Sequence, residues 1–211
     1  MDQIVSPPGR RERKKQETAA RLKASALEIF ARDGFSNAKI KDVAERADVA
    51  ERTLFNYVAD KRDLLAFIFA DDYLDLAQHA FTPADRDRPL LDQLGKEFTR
   101  SVYFFRRFGQ VSLILFREGI WYDTSPHLVH LKAGRATLGS NLLAMLETKQ
   151  RMGELSIRAS CADLASIFIA IFIANLQRSL AETEEEAART VASVERQFEL
   201  VLRGVINNPA A

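Results

Sequence analysis

Cysteine is nearly absent from this chain of 211 residues, which contains only Cys161. A single cysteine excludes an internal disulfide and provides no pair of thiolates for a metal ion. Glycine and proline are also few, at 9 and 6 residues, and apolar residues recur every three or four positions instead of alternating. This spacing and the scarcity of turn residues together predict an all-α protein with short connections.

Long apolar runs are missing as well. The N-terminus, MDQIVSPPGRRERKK, lacks the apolar segment of a signal peptide. The most apolar stretch, LASIFIAIFIANL at 164–176, is shorter than the roughly 20 residues that a membrane-spanning helix needs. We therefore expect a cytoplasmic protein.

The net charge of +1 conceals an uneven distribution along the chain. Residues 1–61 contain 13 Lys and Arg against 10 Asp and Glu, whereas residues 62–211 contain 17 against 19. Most of the excess lies in RRERKK at positions 10–15, directly before a predicted helix. Such a run is either a solvated terminus or a contact for an acidic partner, and composition alone does not decide between them.

The first sixty residues show the apolar spacing of three consecutive helices. The stripes of the first two are Leu22, Ala26, Ile29 and Phe30, and then Ile40, Val43, Ala44 and Ala47. Gly34 suits the left-handed conformation that ends the first helix, and Asn37 is the expected N-cap of the second. In the third helix Leu54, Phe55 and Val58 are expected to face the core. A fourth helix is expected to open with a capping box formed by Asp60 and Asp63.

The second and third helices are too short to be stable alone in water, so they must pack against their neighbours. Two short helices joined by a tight turn and supported by a longer one form a helix-turn-helix, whose second helix enters the DNA major groove. Arg52 can bond a guanine edge, Asn56 can bond adenine, and Thr53 and Tyr57 carry hydroxyls for phosphate. The cations expected to flank them, on phosphates or along the adjacent minor groove, are Lys39, Lys41, Lys61, Arg10, Arg11, Arg13, Lys14 and Lys15.

A longer string of residues resembles the tetracycline-repressor (TetR) family of bacterial transcription regulators. The matching positions are Phe35, Ile40, Val43, Ala44, Ala47, Val49, Thr53, Leu54, Phe55, Tyr57, Val58, Lys61 and Leu64. The resemblance implies that Thr53, Tyr57 and Lys61 clamp phosphates and that Glu51, Arg52 and Asn56 read bases. Asp48 stands where the family usually has Gly, and its side chain tolerates the left-handed turn. Ala50 replaces the usual Ser or Thr and cannot cap the third helix.

The remainder of the chain, after a polar connector at 83–89, is predicted to form further helices, about nine in all. Aromatic residues are dense here, and they either fill the core or line a ligand cavity, which the resemblance favours. The candidate cavity residues are Phe98, Phe105, Phe116, Arg117, Trp121, Tyr122, His127, Leu138, Asn141, Met145 and Asn175.

Catalytic and metal-binding patterns are not evident in the sequence. His127 and His130 have no carboxylate or cysteine at a matching metal-ligand spacing. There is also no nucleophile motif, phosphate loop or paired-carboxylate signature. We therefore expect no enzyme activity, no cofactor and no metal.

The last two helices are expected to form a dimer interface. The segment at 164–176 is apolar around nearly its whole circumference, and the next helix opens with the capping box of Thr183 and Glu186. The resemblance implies a four-helix interface between two subunits, which would place two third helices on a near-palindromic operator.

The sequence therefore predicts a DNA-binding domain at 1–61 and a ligand-binding and dimerisation domain at 62–211. The function expected is that of a homodimeric repressor released from its operator by a small apolar or amphipathic effector. Two alternatives stay open: an activator or a regulator controlled by a protein partner, and a helical small-molecule-binding protein whose DNA-binding head is vestigial.

Overall fold

The computed structural model describes residues 9–82, 87–118, 125–156, 158 and 160–204. Within these ranges the chain forms nine α-helices and no β-strand, as the sequence predicts. The helices are α1 (Arg10–Asn37), α2 (Ile40–Arg46), α3 (Glu51–Leu54), α4 (Lys61–Gln78), α5 (Leu90–Arg106), α6 (Gln110–Arg117), α7 (Pro126–Arg151), α8 (Cys161–Ala181) and α9 (Glu184–Arg203). Most of the connector predicted at 83–89 lies outside the described residues.

Helix α1 differs from its prediction at both ends. It begins at Arg10, so the basic run 10–15 belongs to its first turns and does not precede the helix as expected. Gly34 has the expected positive φ, at +71°, but it kinks the helix, which resumes and ends at Asn37. The side chain of Asn37 donates to the carbonyl of Asp33, and the N-cap of α2 is Lys39. The prediction that Asn37 caps α2 was therefore wrong, because its amide bonds within α1.

Helices α1 to α3 share one apolar core. Leu22 and Phe30 of α1 are buried in this core, as are Leu54 of α3 and Val58 just after it. Phe55, in contrast, is 47% exposed, so its predicted core position was wrong. Leu54 and Val58 are four positions apart and share a face, whereas Phe55 is rotated by about 100° from Leu54. Backbone bonds from Tyr57 and Val58 to the Leu54 carbonyl continue the helical turn beyond α3 itself.

Helix α4 is buried along most of its length between α1 and α7. It runs parallel to α7, since Asp63 lies beside His127 near the starts of the two helices and Ala77 lies beside Asn141 further along. Asp60 caps α4 as predicted, accepting a bond of 2.8 Å from the Asp63 amide. The return bond of the predicted capping box is displaced by one residue, because Asp63 accepts from the amide of Ala59.

Helices α8 and α9 pack on each other and on α5. The capping box of Thr183 and Glu186 at the start of α9 is present, and the rings of Phe168 and Phe198 meet edge to face at 5.4 Å. At 21 residues α8 is longer than its apolar segment suggested, and it alone among the described helices is long and apolar enough to cross a membrane. That criterion is weak for a single helix, because core helices of water-soluble proteins also meet it.

Candidate DNA-binding surface and central cavity

The outer face of α3 carries the residues predicted to read bases. Glu51, Arg52 and Asn56 are exposed, while Thr53 and Tyr57 are half-buried. The hydroxyl of Tyr57 donates to the carbonyl of Lys15 at 3.3 Å, which connects α3 to the basic beginning of α1. The structure thus brings the base-reading candidates and the basic run 10–15 to one surface, although they are about forty residues apart in sequence.

The turn between α2 and α3 contains the two residues that depart from the family pattern, Asp48 and Ala50. Asp48 adopts a positive φ of +53°, the left-handed conformation that a glycine usually takes. Ala50 is the N-cap of α3 and forms no side-chain bond to the helix. The first turn of α3 therefore relies on backbone bonds, such as that from the Thr53 amide to the Ala50 carbonyl at 2.8 Å.

The three lysines of the surface have different surroundings. Lys39 and Lys41 are exposed at the start of α2. Lys61 donates to the carbonyls of Ser36 and Ala38, both at 3.1 Å, and its ammonium lies 4.8 Å from the centre of the Phe35 ring. The Lys61 side chain therefore holds the end of α1 against the start of α4.

A buried carboxylate joins α4 to α7 behind this surface. Asp63 is fully buried and accepts from the amide of Ala59 at 2.9 Å and from the amide of His127 at 2.8 Å. The ring of His127 also approaches this carboxylate, with its Nδ1 atom 3.1 Å from Oδ2 of Asp63. Burial alone would raise the pKa of Asp63, but these hydrogen bonds and the nearby His127 outweigh it and hold the pKa below its ordinary value. Asp63 is thus held in its charged form between the two helices.

A cavity of about 880 Å³ lies among α4 to α9. Its walls are mainly rings and branched apolar side chains, including Leu94, Phe105, Phe116, Leu138, Leu142, Phe168, Phe172, Ile173 and Phe198. Polar side chains along it are Tyr73 of α4, Lys132 and Arg135 of α7, and Gln177 of α8. An apolar enclosure with few polar groups is the usual form of a small-molecule site.

Three of the predicted cavity residues, Phe105, Phe116 and Leu138, line this cavity. Arg117 lines a separate space of about 580 Å³ between α1 and α6, and Asn141 and Met145 line one of about 240 Å³. Trp121 and Tyr122 lie outside the described residues.

Three further candidates are engaged elsewhere. The ring of Phe98 is buried, with its centre 5.2 Å from that of Phe172 and edge to face with it. His127 is bound to Asp63, and Asn175 donates to the carbonyl of Ile171 at 2.8 Å.

Sequence reasoning missed several lining residues, among them Tyr73, Lys132, Arg135, Phe168, Phe172 and Gln177. A signal for the α7 group was present, because Lys132, Arg135 and Gly139 recur at three and four and therefore share one helix face. The residues of α8 were hidden, since an all-apolar helix does not show from sequence which side faces a cavity.

No metal site is apparent in the part of the chain that the structure describes. It contains no group of three His, Cys, Asp or Glu side chains that could hold an ion. The rings of His127 and His130 lie 6.2 Å apart at an angle of 74°. This pair has no third ligand among the described residues.

Comparison with known proteins agrees with this architecture. Residues 22–68 match the family model described as bacterial regulatory proteins, tetR family. A relative from Streptomyces coelicolor, the HTH-type transcriptional repressor SCO4008, is 26% identical over 158 residues, which are 74% of this chain and 77% of that protein.

Solved structures share the fold over nearly the whole chain. A TetR-family regulator from Pectobacterium atrosepticum (ECA1819) has a TM-score of 0.66 at 18% identity, covering 96% of this chain and 100% of that one. The regulator FadR from Bacillus subtilis, solved in complex with stearoyl-CoA, has a TM-score of 0.62 at 14% identity, covering 88% and 98%. Residues 22–68 thus form a TetR-family N-terminal domain, and the described helices have the fold of solved TetR-family regulators.

Proposed function

We propose that this DNA-binding regulator is a cytoplasmic homodimeric repressor that leaves a near-palindromic operator when a small apolar or amphipathic molecule enters the central cavity. In this proposal residues 1–61 bind DNA, and residues 62–211 bind the effector and form the dimer. The observation that carries it is the surface on which the outer face of α3 lies beside the basic start of α1.

Sequence reading is assigned to the exposed side of α3. Arg52 and Asn56 are both exposed and one turn apart, so both can reach base edges in a major groove, with Glu51 beside them. Thr53 of α3 and Tyr57 of the turn that continues it are half-buried, and their hydroxyls are assigned to backbone phosphates. The flanking phosphate contacts are assigned to Lys39, Lys41 and Lys61, and to the basic side chains Arg10, Arg11, Arg13, Lys14 and Lys15.

The dimer interface is assigned to α8 and α9. Within one subunit only 28% of the most apolar stretch of α8 is buried, although the helix is apolar around most of its circumference. Ile167 of α8 is 45% exposed and Leu200 of α9 is 67% exposed. Apolar faces of this kind are covered by partners in water, and dimerisation is typical of the family. A second copy of the chain accounts for both helices at once.

The link between cavity and DNA is assigned to α4 and α6. Tyr73 of α4 lines the cavity, while the same helix begins at Lys61, which binds the end of α1. Phe116 of α6 lines both the cavity and the space between α6 and α1. An occupant that displaces either side chain changes the orientation of the DNA-binding domain relative to the ligand-binding domain. The distance between the two α3 helices of a dimer changes as a result. FadR, which shares this fold, was solved in complex with stearoyl-CoA, and this supports a small-molecule effector for the chain.

Selection of duplexes from a random-sequence pool by the purified protein tests this function. We expect an inverted repeat with half-sites about one helical turn apart or slightly more, because a two-fold dimer presents two α3 helices. Recovery of a sequence-random pool after repeated rounds would contradict the assignment of α3 as a reading helix. A single half-site without a repeat would contradict the dimeric operator.

A further inference from the structure

Phe55 is a large apolar side chain that the core of the DNA-binding domain leaves uncovered. It is 47% exposed, whereas Leu54 directly before it is completely buried. The amide of Phe55 donates to the Glu51 carbonyl at 3.1 Å, so Phe55 continues the turn of α3. Residues three and four positions apart share one face of a helix, and Phe55 is therefore on the same side as Arg52 and Glu51. This is the side of α3 to which base reading is assigned.

The other exposed side chains on this side of the helix are polar. Glu51, Arg52 and Asn56 all carry groups that form hydrogen bonds. Between positions 50 and 57, all of which the structure describes, Phe55 is the one exposed residue with a large apolar side chain. The 5-methyl group of thymine is the apolar group that the major groove displays, and apolar side chains recognise it by contact. The chemistry of Phe55 thus matches the one base feature that its polar neighbours cannot recognise.

The spacing of Phe55 and Arg52 limits where that base can lie. Three residues correspond to a rise of about 4.5 Å along a helix. This rise falls between one and two steps of about 3.4 Å from one base pair to the next. A methyl group that Phe55 contacts is therefore close to the guanine assigned to Arg52.

We propose that Phe55 recognises the 5-methyl group of a thymine in the operator, within about two base pairs of the guanine assigned to Arg52. This inference rests on the proposed role of α3 as the reading helix, and it adds one residue and one base to that role. The contact removes the exposed ring and the methyl group from water together, which favours binding. Uracil has the same hydrogen-bonding groups as thymine but no methyl group, so it cannot form this contact.

A uracil scan of the operator obtained by selection tests the proposal with the full chain. Each thymine of one half-site is replaced in turn by uracil, together with its counterpart in the other half-site. We expect one thymine near the guanine at which uracil weakens wild-type binding by about fourfold for each methyl group lost. Equal affinity for every uracil duplex would overturn the proposal.

Variants of Phe55 connect the loss to this side chain. Phe55→Ala should bind the thymine and uracil duplexes equally, whereas Phe55→Leu should retain part of the preference because leucine is also apolar. Tyr103→Ala is the matched control, since Tyr103 is an exposed ring of α5, outside the surface assigned to DNA, and it should retain the full preference. Thermal unfolding checks that each variant is folded. A full preference for thymine in folded Phe55→Ala would overturn the proposal.

The outcomes separate this inference from the proposed function on which it rests. A specific operator that binds equally with thymine or uracil would overturn the role of Phe55 and leave α3 as the reading helix. A pool that stays random after repeated rounds of selection would contradict the reading role of α3, and the inference about Phe55 with it.

Discussion

At the scale of single residues, Asp63 connects the DNA-binding head to the rest of the molecule. One carboxylate receives bonds from Ala59, just before α4, and from His127, in the first turn of α7. Because it is fully buried, no water can replace a lost partner without rearrangement. Asp63 therefore helps to hold the start of α4 against the start of α7.

Asp63→Asn is expected to lower the free energy of unfolding by about 1–3 kcal/mol at pH 7, since a buried charged acceptor loses its charge and at least one bond. Urea unfolding measures the change. The control is Asp92→Asn, because Asp92 occupies the corresponding third position of α5 but is exposed, and it should change stability little. Equal losses in the two variants would show that the bonds of Asp63 do not stabilise the fold.

The pH dependence of that difference follows from the lowered pKa of Asp63. A group whose pKa is lower in the folded state contributes stability above its unfolded pKa and loses it as pH falls through the folded value. The difference between wild type and Asp63→Asn should therefore be constant from pH 7 to 5 and shrink under more acidic conditions. A difference that grows on acidification would contradict this assignment.

At the scale of helices, the contact of α4 with α7 depends on a glycine. A Cβ atom on Gly134 would lie 2.9 Å from Cδ1 of Tyr73 and 3.5 Å from the Cα of Leu74, so the two helices could not keep their distance. Gly139, five residues further along α7, has more room, since its Cβ would meet Ile169 at 3.6 Å. The two positions form a natural pair of test and control.

Gly134→Ala is expected to destabilise the protein by about 1–3 kcal/mol through overpacking. Gly139→Ala should be neutral or stabilising by up to about 1 kcal/mol, because alanine favours a helix interior over glycine. Urea unfolding of both variants measures the contrast. Equal effects would mean that α4 and α7 do not approach as closely as described.

The sequence was informative about helices and less so about what they face. Apolar spacing predicted about nine helices, and the described residues contain nine. The Thr183 capping box was found because both of its partners lie within one turn. Apolar spacing could not show that the Asn37 side chain donates to the Asp33 carbonyl within α1, since the same side chain could instead have capped α2.

Sequence patterns also could not show hydrogen bonds between residues that are distant in the sequence. Asp63 was recognised as part of a cap, but its partner His127 is 64 positions away and has no local signal. The cavity was found in outline through Phe105, Phe116 and Leu138, while its charged residues were missed. Which face of a helix meets a cavity depends on tertiary packing, not on periodicity alone.

At the scale of the whole molecule, the proposed dimer interface includes the exposed apolar side chains of α8 and α9. Ile167→Glu is expected to shift sedimentation from dimer to monomer, because a charge at an apolar interface is left without water or a partner. The control is Val129→Glu, because Val129 is 50% exposed and belongs to α7 and not to the proposed interface helices. A dimer that persists in Ile167→Glu and dissociates in Val129→Glu would move the interface to α7.

The central claim is that the exposed face of α3 reads a DNA sequence, and operator affinity across a salt series tests it most directly. Wild type should prefer its selected duplex over a scrambled one by roughly 10³-fold or more, and its affinity should fall steeply with salt as phosphate contacts release counterions. Arg52→Ala should lose about 1–3 kcal/mol on the selected duplex, with Arg151→Ala as the unaffected control. Equal binding of both duplexes by wild type and Arg52→Ala would contradict the account.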